Sequence, residues 1–199
     1  MAGGHFKRTT IISSEPLSTR LHTVPGVAEA RARLAERDAQ SVREFILSLA
    51  HVEGPVGDHV RTFIIGDDLE DVAQTILKRL TRLQRPTEYV ERHARGREVG
   101  VSLDLIVESI AQLVLPMDPG GAFDLLVEVF EQDTVAMDNC GDHHWQVTCA
   151  YERAARLMET VVNSLPNPAV IETLKRLLAM DLYGVREPLK DLLTRVGDR

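Results

Sequence analysis

Aromatic side chains are scarce: five Phe, three Tyr and the single Trp145 make up 5% of 199 residues. Carbohydrate platforms and base-stacking surfaces are built from such rings, so neither is expected. There are only two cysteines, too few for a secreted disulfide scaffold. No apolar run approaches the roughly 20 residues that span a bilayer. The opening stretch MAGGHFKRTTIISS has a basic pair but no apolar core behind it, so no signal peptide and no membrane contact are expected. The expected compartment is the cytoplasm. Positive charge does not dominate either. The 23 Lys+Arg stand against 30 Asp+Glu, a net charge of −7, which argues against diffuse nucleic-acid binding. Also missing are G-x-x-x-x-G-K-[ST], a G-x-G-x-x-G after a strand, H-E-x-x-H and G-x-S-x-G. The phosphate-cradling loops and commonest hydrolase sites that these motifs build are therefore not expected.

What remains is ordinary globular material, 44% hydrophobic and 27% charged, long enough to fold around its own core. Residues 1–24 lack a clear period. Thr9–Ile12 could form a short strand, but Ser13, Ser14 and Pro16 end it, and 1–24 reads as a loosely held arm. From 25 to 199 a single helical domain is expected. Ala28, Ala32 and Ala35 share one face, and Val42, Phe45, Ile46 and Leu49 recur at three- and four-residue steps until Gly54-Pro55. Gly66 is expected as a left-handed helix end, with Asp67 and Glu70 capping the next helix. That helix carries Leu69, Val72, Ala73, Ile76, Leu80 and Leu83. Residues 87–100 look polar and unpatterned, and Ser102 is expected to cap a helix through Leu103, Ile106, Ile110 and Leu113. Asp118-Pro119 and Asn167-Pro168 each read as a cap followed by proline at the first helical position. Asp142 is expected to cap a long helix to Leu165, and Tyr183-Gly184 to turn into a last helix with Pro188 in its first turn. Eight or nine helices are expected, without a clean repeat and without a convincing strand pair. The fold class is all-α: an irregular, right-handed, solenoid-like array of antiparallel helix pairs.

Charge is uneven along the chain. Residues 1–103 balance at +1 and residues 104–199 at −8. Lys78, Arg79, Arg82, Arg85, Arg92, Arg95 and Arg97 cluster in the first half. This basic ridge is a candidate contact for an acidic partner, such as the acidic half of a second copy, or for phosphate. A solvated helix face is the commoner outcome. The densest polar cluster is Asp138-Asn139-Cys140-Gly141-Asp142-His143-His144-Trp145, with Cys149 beyond. Cys140, His143, His144 and Cys149 are zinc-type ligands, but the spacing is unusual and a fourth donor is not obvious. The competing reading is a helix start capped by Asp142, with Cys149 buried as a small apolar group. Cys140 ahead of a helix start beside two histidines could also be a reactive thiol, although Asp138 and Asp142 oppose the thiolate. Ile64-Ile65-Gly66-Asp67-Asp68 superficially matches a carboxylate pair on a polymerase turn, but its helical flanks favour capping. His51, His59 and His93 have no ligand spacing and read as surface or satisfied core histidines.

The segments Val129-Phe130-Glu131, Ala136–Asp142 and Ala150-Tyr151-Glu152-Arg153-Ala154, with Ile76–Leu80 and the later Tyr183-Gly184-Val185-Arg186, resemble an uncharacterised bacterial all-helical family, a domain of unknown function. The likeness covers roughly residues 65–196. It implies a helical fold and no activity. The family's turn carries Asp or Ser where this chain has His143 and His144. The expectation is a non-catalytic interaction module, an accessory or adaptor subunit of a bacterial complex. Its contacts are expected at Lys78, Arg79, Arg82, Arg85, Arg92, Arg95, Asp142 and Trp145, with no cofactor. The alternatives are a zinc-binding protein or enzyme centred on Cys140, His143, His144 and Cys149, and a nucleic-acid-binding accessory protein using the ridge at 78–97.

Overall fold

A computed structural model describes residues 27–84, 92–138, 140, 145–165 and 168–197. The expected arm and its Thr9–Ile12 strand, the Asp142 cap, His143, His144 and Arg85 lie outside the described residues. Among the described residues there are ten α-helices and no strand: α1 (Val27–Ala35), α2 (Ala39–Ala50), α3 (Pro55–Ile64), α4 (Leu69–Leu83), α5 (Arg92–Ser109), α6 (Pro119–Glu131), α7 (Asp133–Asp138), α8 (Trp145–Ser164), α9 (Pro168–Ala179) and α10 (Pro188–Gly197). This exceeds the eight or nine expected, because the six-residue α7 is not among them. The chain divides into two compact units, Met1–Phe45 and Ile46–Arg199.

In the first unit, Asp38 accepts from the Ser41 amide at 2.8 Å and the Ser41 hydroxyl at 2.6 Å ahead of α2. The hydroxyl bond, helped by the amide, holds the Asp38 carboxyl below its ordinary range. Leu34 and Phe45 stay exposed.

The second unit has its core on α4, α5, α6 and α8. In α4, Val72, Ile76, Leu80 and Leu83 fall on one helical stripe and are buried. Asp68 caps this helix, accepting from the Glu70 and Asp71 amides at 2.9 and 3.2 Å. The cap is therefore one residue later than Asp67. Gly66 is not left-handed; the positive-φ residues among those described are Gly54 and Gly184. Gly66 serves packing instead, since a Cβ there would stand a tight 3.0 Å from Phe63 O and 3.3 Å from Leu113 Cδ2.

Helix α5 begins at Arg92, eleven residues before the expected first helical residue Leu103, and Ser102 lies buried in its middle. The early turns carry Gly96 and Gly100 in place of an apolar stripe. A Cβ on Gly100 would meet Gln146 Cβ at 2.9 Å and Gln146 C at 3.0 Å, so the missing side chain lets α5 lie directly on the start of α8. This α5–α8 interface is the most extensive in the unit, and Arg153 of α8 reaches Asp104 of α5 at 2.9 Å. Helix α5 also packs against α3 and α4, and α6 against α4, α8 and α9.

A π-helical turn, Ile110–Val114, extends α5, with the Leu115 N–H reaching back to Ile110 O at 2.9 Å. Pro116 follows at once. Proline crowds the carbonyl four residues back and offers no N–H, so the ordinary ladder ends there. Asp118 then caps α6 through the Gly121 amide at 2.9 Å, with Pro119 at the first position as expected. Helix α6 is buried nearly all round through Ala122, Phe123, Leu125, Leu126, Val129 and Phe130. Val147, Ala150, Tyr151, Ala154, Met158 and Val161 line the inner face of α8.

Candidate functional site

Helix α3 is inverted. An amphipathic helix ordinarily turns its apolar stripe to the core. Here Gly57 and Thr62 are buried and His59 is half-buried, while Val56, Phe63 and Ile64 face outward. Phe63 is 54% exposed and Ile64 48%. With half-buried Val60 they form an i, i+4, i+7, i+8 stripe. Its start is fixed by backbone contact. Gly54 takes φ +101°, Pro55 is the first helical residue, and a Cβ on Gly57 would lie 1.8 Å from Val52 O.

The cause of the inversion lies beneath. Arg79 stands on the buried stripe of α4 and is 3% exposed. Its Nη1 donates to Thr62 Oγ1 at 3.1 Å and Ser109 Oγ at 3.2 Å, while Nε and Nη2 find no partner among the described residues. Ser109 donates its own proton to Leu105 O at 2.8 Å, and His59 Nδ1 lies 3.0 Å from the same hydroxyl. With that proton committed, the contact assigns the hydrogen to His59 Nδ1. Burial, and then the Arg79 charge, hold the His59 imidazole below its ordinary value. Burial pushes the Arg79 guanidinium down to about 10, against the attraction of Asp58, so it remains charged at neutral pH. A buried charge demands polar partners, and α3 supplies them by turning its polar side inward.

This corrects one expectation directly: Arg79 is not on a surface ridge. Among the other residues expected to contact a partner, Lys78 and Arg82 are exposed on α4, and Arg82 Nη1 lies 3.3 Å from both Asp58 carboxylate oxygens. Asp58 is also held by Arg61 at 2.6 Å. Arg92 and Arg95 belong to α5, but their side chains, like Arg85 and Asp142, fall outside the description. Trp145 opens α8 and is 67% exposed.

The two cysteines part company. Cys140 is buried and its thiol donates to Ala136 O, whereas Cys149 is exposed, not buried as the capping reading expected. Among the described residues no group of three His, Cys, Asp or Glu could hold a metal ion. No helix among the described residues is long and apolar enough to cross a membrane.

A second polar centre has no counterpart in the expected site residues. Arg186 and Asp133 form a two-pronged ion pair, with Nε to Oδ2 at 2.6 Å and Nη2 to Oδ1 at 2.7 Å. Their side chains are 3% and 1% exposed. Arg186 also donates to Leu177 O and Phe130 O, each at 2.7 Å. The pair thus clasps the ends of α6 and α9 to the start of α7, which is why α6 and α7 part at Gln132. Gly184, at φ +75°, swings the chain back so that Val185 and Arg186 turn inward. The Tyr183 hydroxyl donates to Asp138, and that bond holds the phenol above its ordinary value.

The Tyr183–Arg186 step and the α6–α8 segments are the ones whose pattern resembled an uncharacterised helical family, and a family profile spans residues 27–197. The chain belongs to the Family of unknown function (DUF6880). No curated protein and no solved structure matches it significantly. The family's span takes in α1 to α10, so the inverted helix and the buried clasp both lie within it.

Proposed function

We propose that the protein is a non-catalytic helical interaction module, an accessory subunit that docks another protein on the outward face of α3. The observation that carries this reading is the inversion: Val56, Phe63 and Ile64 stand exposed while the same helix buries Thr62 and Gly57. Contiguous exposed apolar surface on a soluble fold marks interaction sites. Lys78, exposed on the neighbouring α4, supplies a basic contact, which suits an acidic partner or the acidic half of a second copy. Trp145, an exposed aromatic of the type enriched at interface hot spots, is a further contact.

The test is quantitative co-purification and sedimentation of the natural protein beside a Phe63→Asn/Ile64→Asn variant. The reading expects a partner, or self-association, that the variant loses while its helix content is kept. Equal recovery of every associated protein and equal sedimentation would discard it.

A further inference from the structure

Helix α3 is fastened to its unit without a fully buried apolar side chain. Its buried residues are Gly57 and Thr62. Segments with few buried apolar contacts open locally at low free energy. The helix is also bounded by two glycines. Gly54 takes φ +101°, where an added Cβ would meet no atom within 4 Å, and Gly66 follows the far end. Element-terminal positions of this kind absorb the backbone change of a hinge.

The inner face of α3 is held through one polar cluster. Ser109 Oγ of α5 accepts from Arg79 Nη1 at 3.2 Å and lies 3.0 Å from His59 Nδ1. Arg79 Nη1 also donates to Thr62 Oγ1 at 3.1 Å. A guanidinium and an imidazole thus flank a single hydroxyl. With the imidazole neutral the cluster holds one charge; a proton on its second nitrogen makes two. The helices packed most closely on α3 are α5 and α4, and their charged groups do not cancel the second one. From α4 come Arg79 and Arg82, both positive. Asp58 of α3 itself is engaged by Arg61 at 2.6 Å and Arg82 at 3.3 Å. Glu98 of α5 shares a cavity wall with Asp58, Arg79 and Arg82, but no ion pair joins it to His59 among the described residues. Burial, and then the Arg79 charge, already disfavour the protonated imidazole.

We propose that α3 is an acid-released flap: when His59 takes up its second ring proton, the two cations part and the helix opens away from α4 and α5 between Gly54 and Gly66. The release stands on the inner face of the helix alone. Its consequence, that acid withdraws the outer apolar face from a partner, rests on the docking reading above.

The test is hydrogen exchange of the full chain, read by mass spectrometry at pH 7.5 and 5.5 with rates scaled for intrinsic exchange. Carboxylates, with ordinary values near about 4, stay ionised at both. In the natural protein, protection over residues 55–64 falls several-fold at pH 5.5. The limit is about tenfold, the most that one imidazole with an unfolded value of about 6.5 contributes there. Protection of α6 is kept. His59→Gln retains a donor toward Ser109 and carries no charge, so its α3 is equally protected at both pH values. Unchanged protection of α3 in the natural protein, an equal loss in His59→Gln, or an equal loss across α3 and α6 overturns the proposal. Partner recovery with Phe63→Asn/Ile64→Asn reads the outer face separately, so the two readings fail independently.

Discussion

Removing one half of the Arg186–Asp133 clasp is the most informative perturbation of the fold. Asp133→Ala leaves a guanidinium that is 3% exposed with two carbonyl acceptors and no counter-charge. Breaking a buried pair from one side costs about 3–5 kcal/mol. For a chain of this size each kcal/mol lowers the melting temperature by about 2–4 °C, so a fall of about 6–20 °C is expected. Arg186→Met costs a similar amount by a different route, since it strands Asp133 and unpairs Leu177 O and Phe130 O. The double variant Asp133→Ala/Arg186→Met removes both charges at once and leaves neither stranded, so its cost falls well below the sum of the singles. Urea unfolding of the four proteins at pH 7 measures all three quantities. A loss below about 1 kcal/mol for Asp133→Ala, or strict additivity in the double variant, would show that the clasp does not hold these helix ends together.

Other substitutions test particular features. Gly100→Val drives side-chain atoms into Gln146, whose Cβ lies 2.9 Å from where the added Cβ would stand; it should cost about 1–3 kcal/mol by overpacking, measured by denaturant midpoint. Gly184→Ala meets no atom within 4 Å but keeps φ +75°, so its cost of about 1–2 kcal/mol is purely conformational, and Gly184→Asn should recover part of it. His59 binds a proton less readily in the folded chain than in the unfolded one. Its contribution is therefore complete above the unfolded value of about 6.5 and is lost as pH falls through that value toward the lower folded one. Stability measured at pH 7.5 and 5.5 should drop less in His59→Gln than in the natural protein; an equal drop would refute the assignment.

The regular helices were legible because their stripes are complete. Val72, Ile76, Leu80 and Leu83 define α4, and Asp118-Pro119 marks the start of α6, as the cap geometry bears out. The start of α5 was hidden because Gly96 and Gly100 stand beside Val99 on its buried side, which leaves no apolar period to read. Close helix contact through missing side chains is silent in a hydrophobicity pattern. Arg79 was misplaced for the opposite reason. It lies three residues after Ile76 and seven after Val72, squarely on the buried stripe, yet its charge suggested surface. Position outweighed residue type because Thr62 and Ser109 provide hydroxyls at that depth. The same buried charge explains why α3 faces the wrong way for its apolar residues, which no local pattern reveals. The Arg186 clasp depends on a partner 53 residues away, beyond any short-range spacing; only its Tyr-Gly-Val-Arg step was visible.

The outward orientation of α3 is the claim on which the interaction reading depends, and denaturant unfolding of Phe63→Asn beside Phe130→Ala tests it directly. Phe130 is fully buried and its truncation should cost about 3–5 kcal/mol. Phe63→Asn should leave the midpoint within about 0.5 kcal/mol of the natural protein, as surface changes do. A loss at Phe63 comparable to that at Phe130 would mean that the apolar face of α3 is core, and the docking surface would not exist.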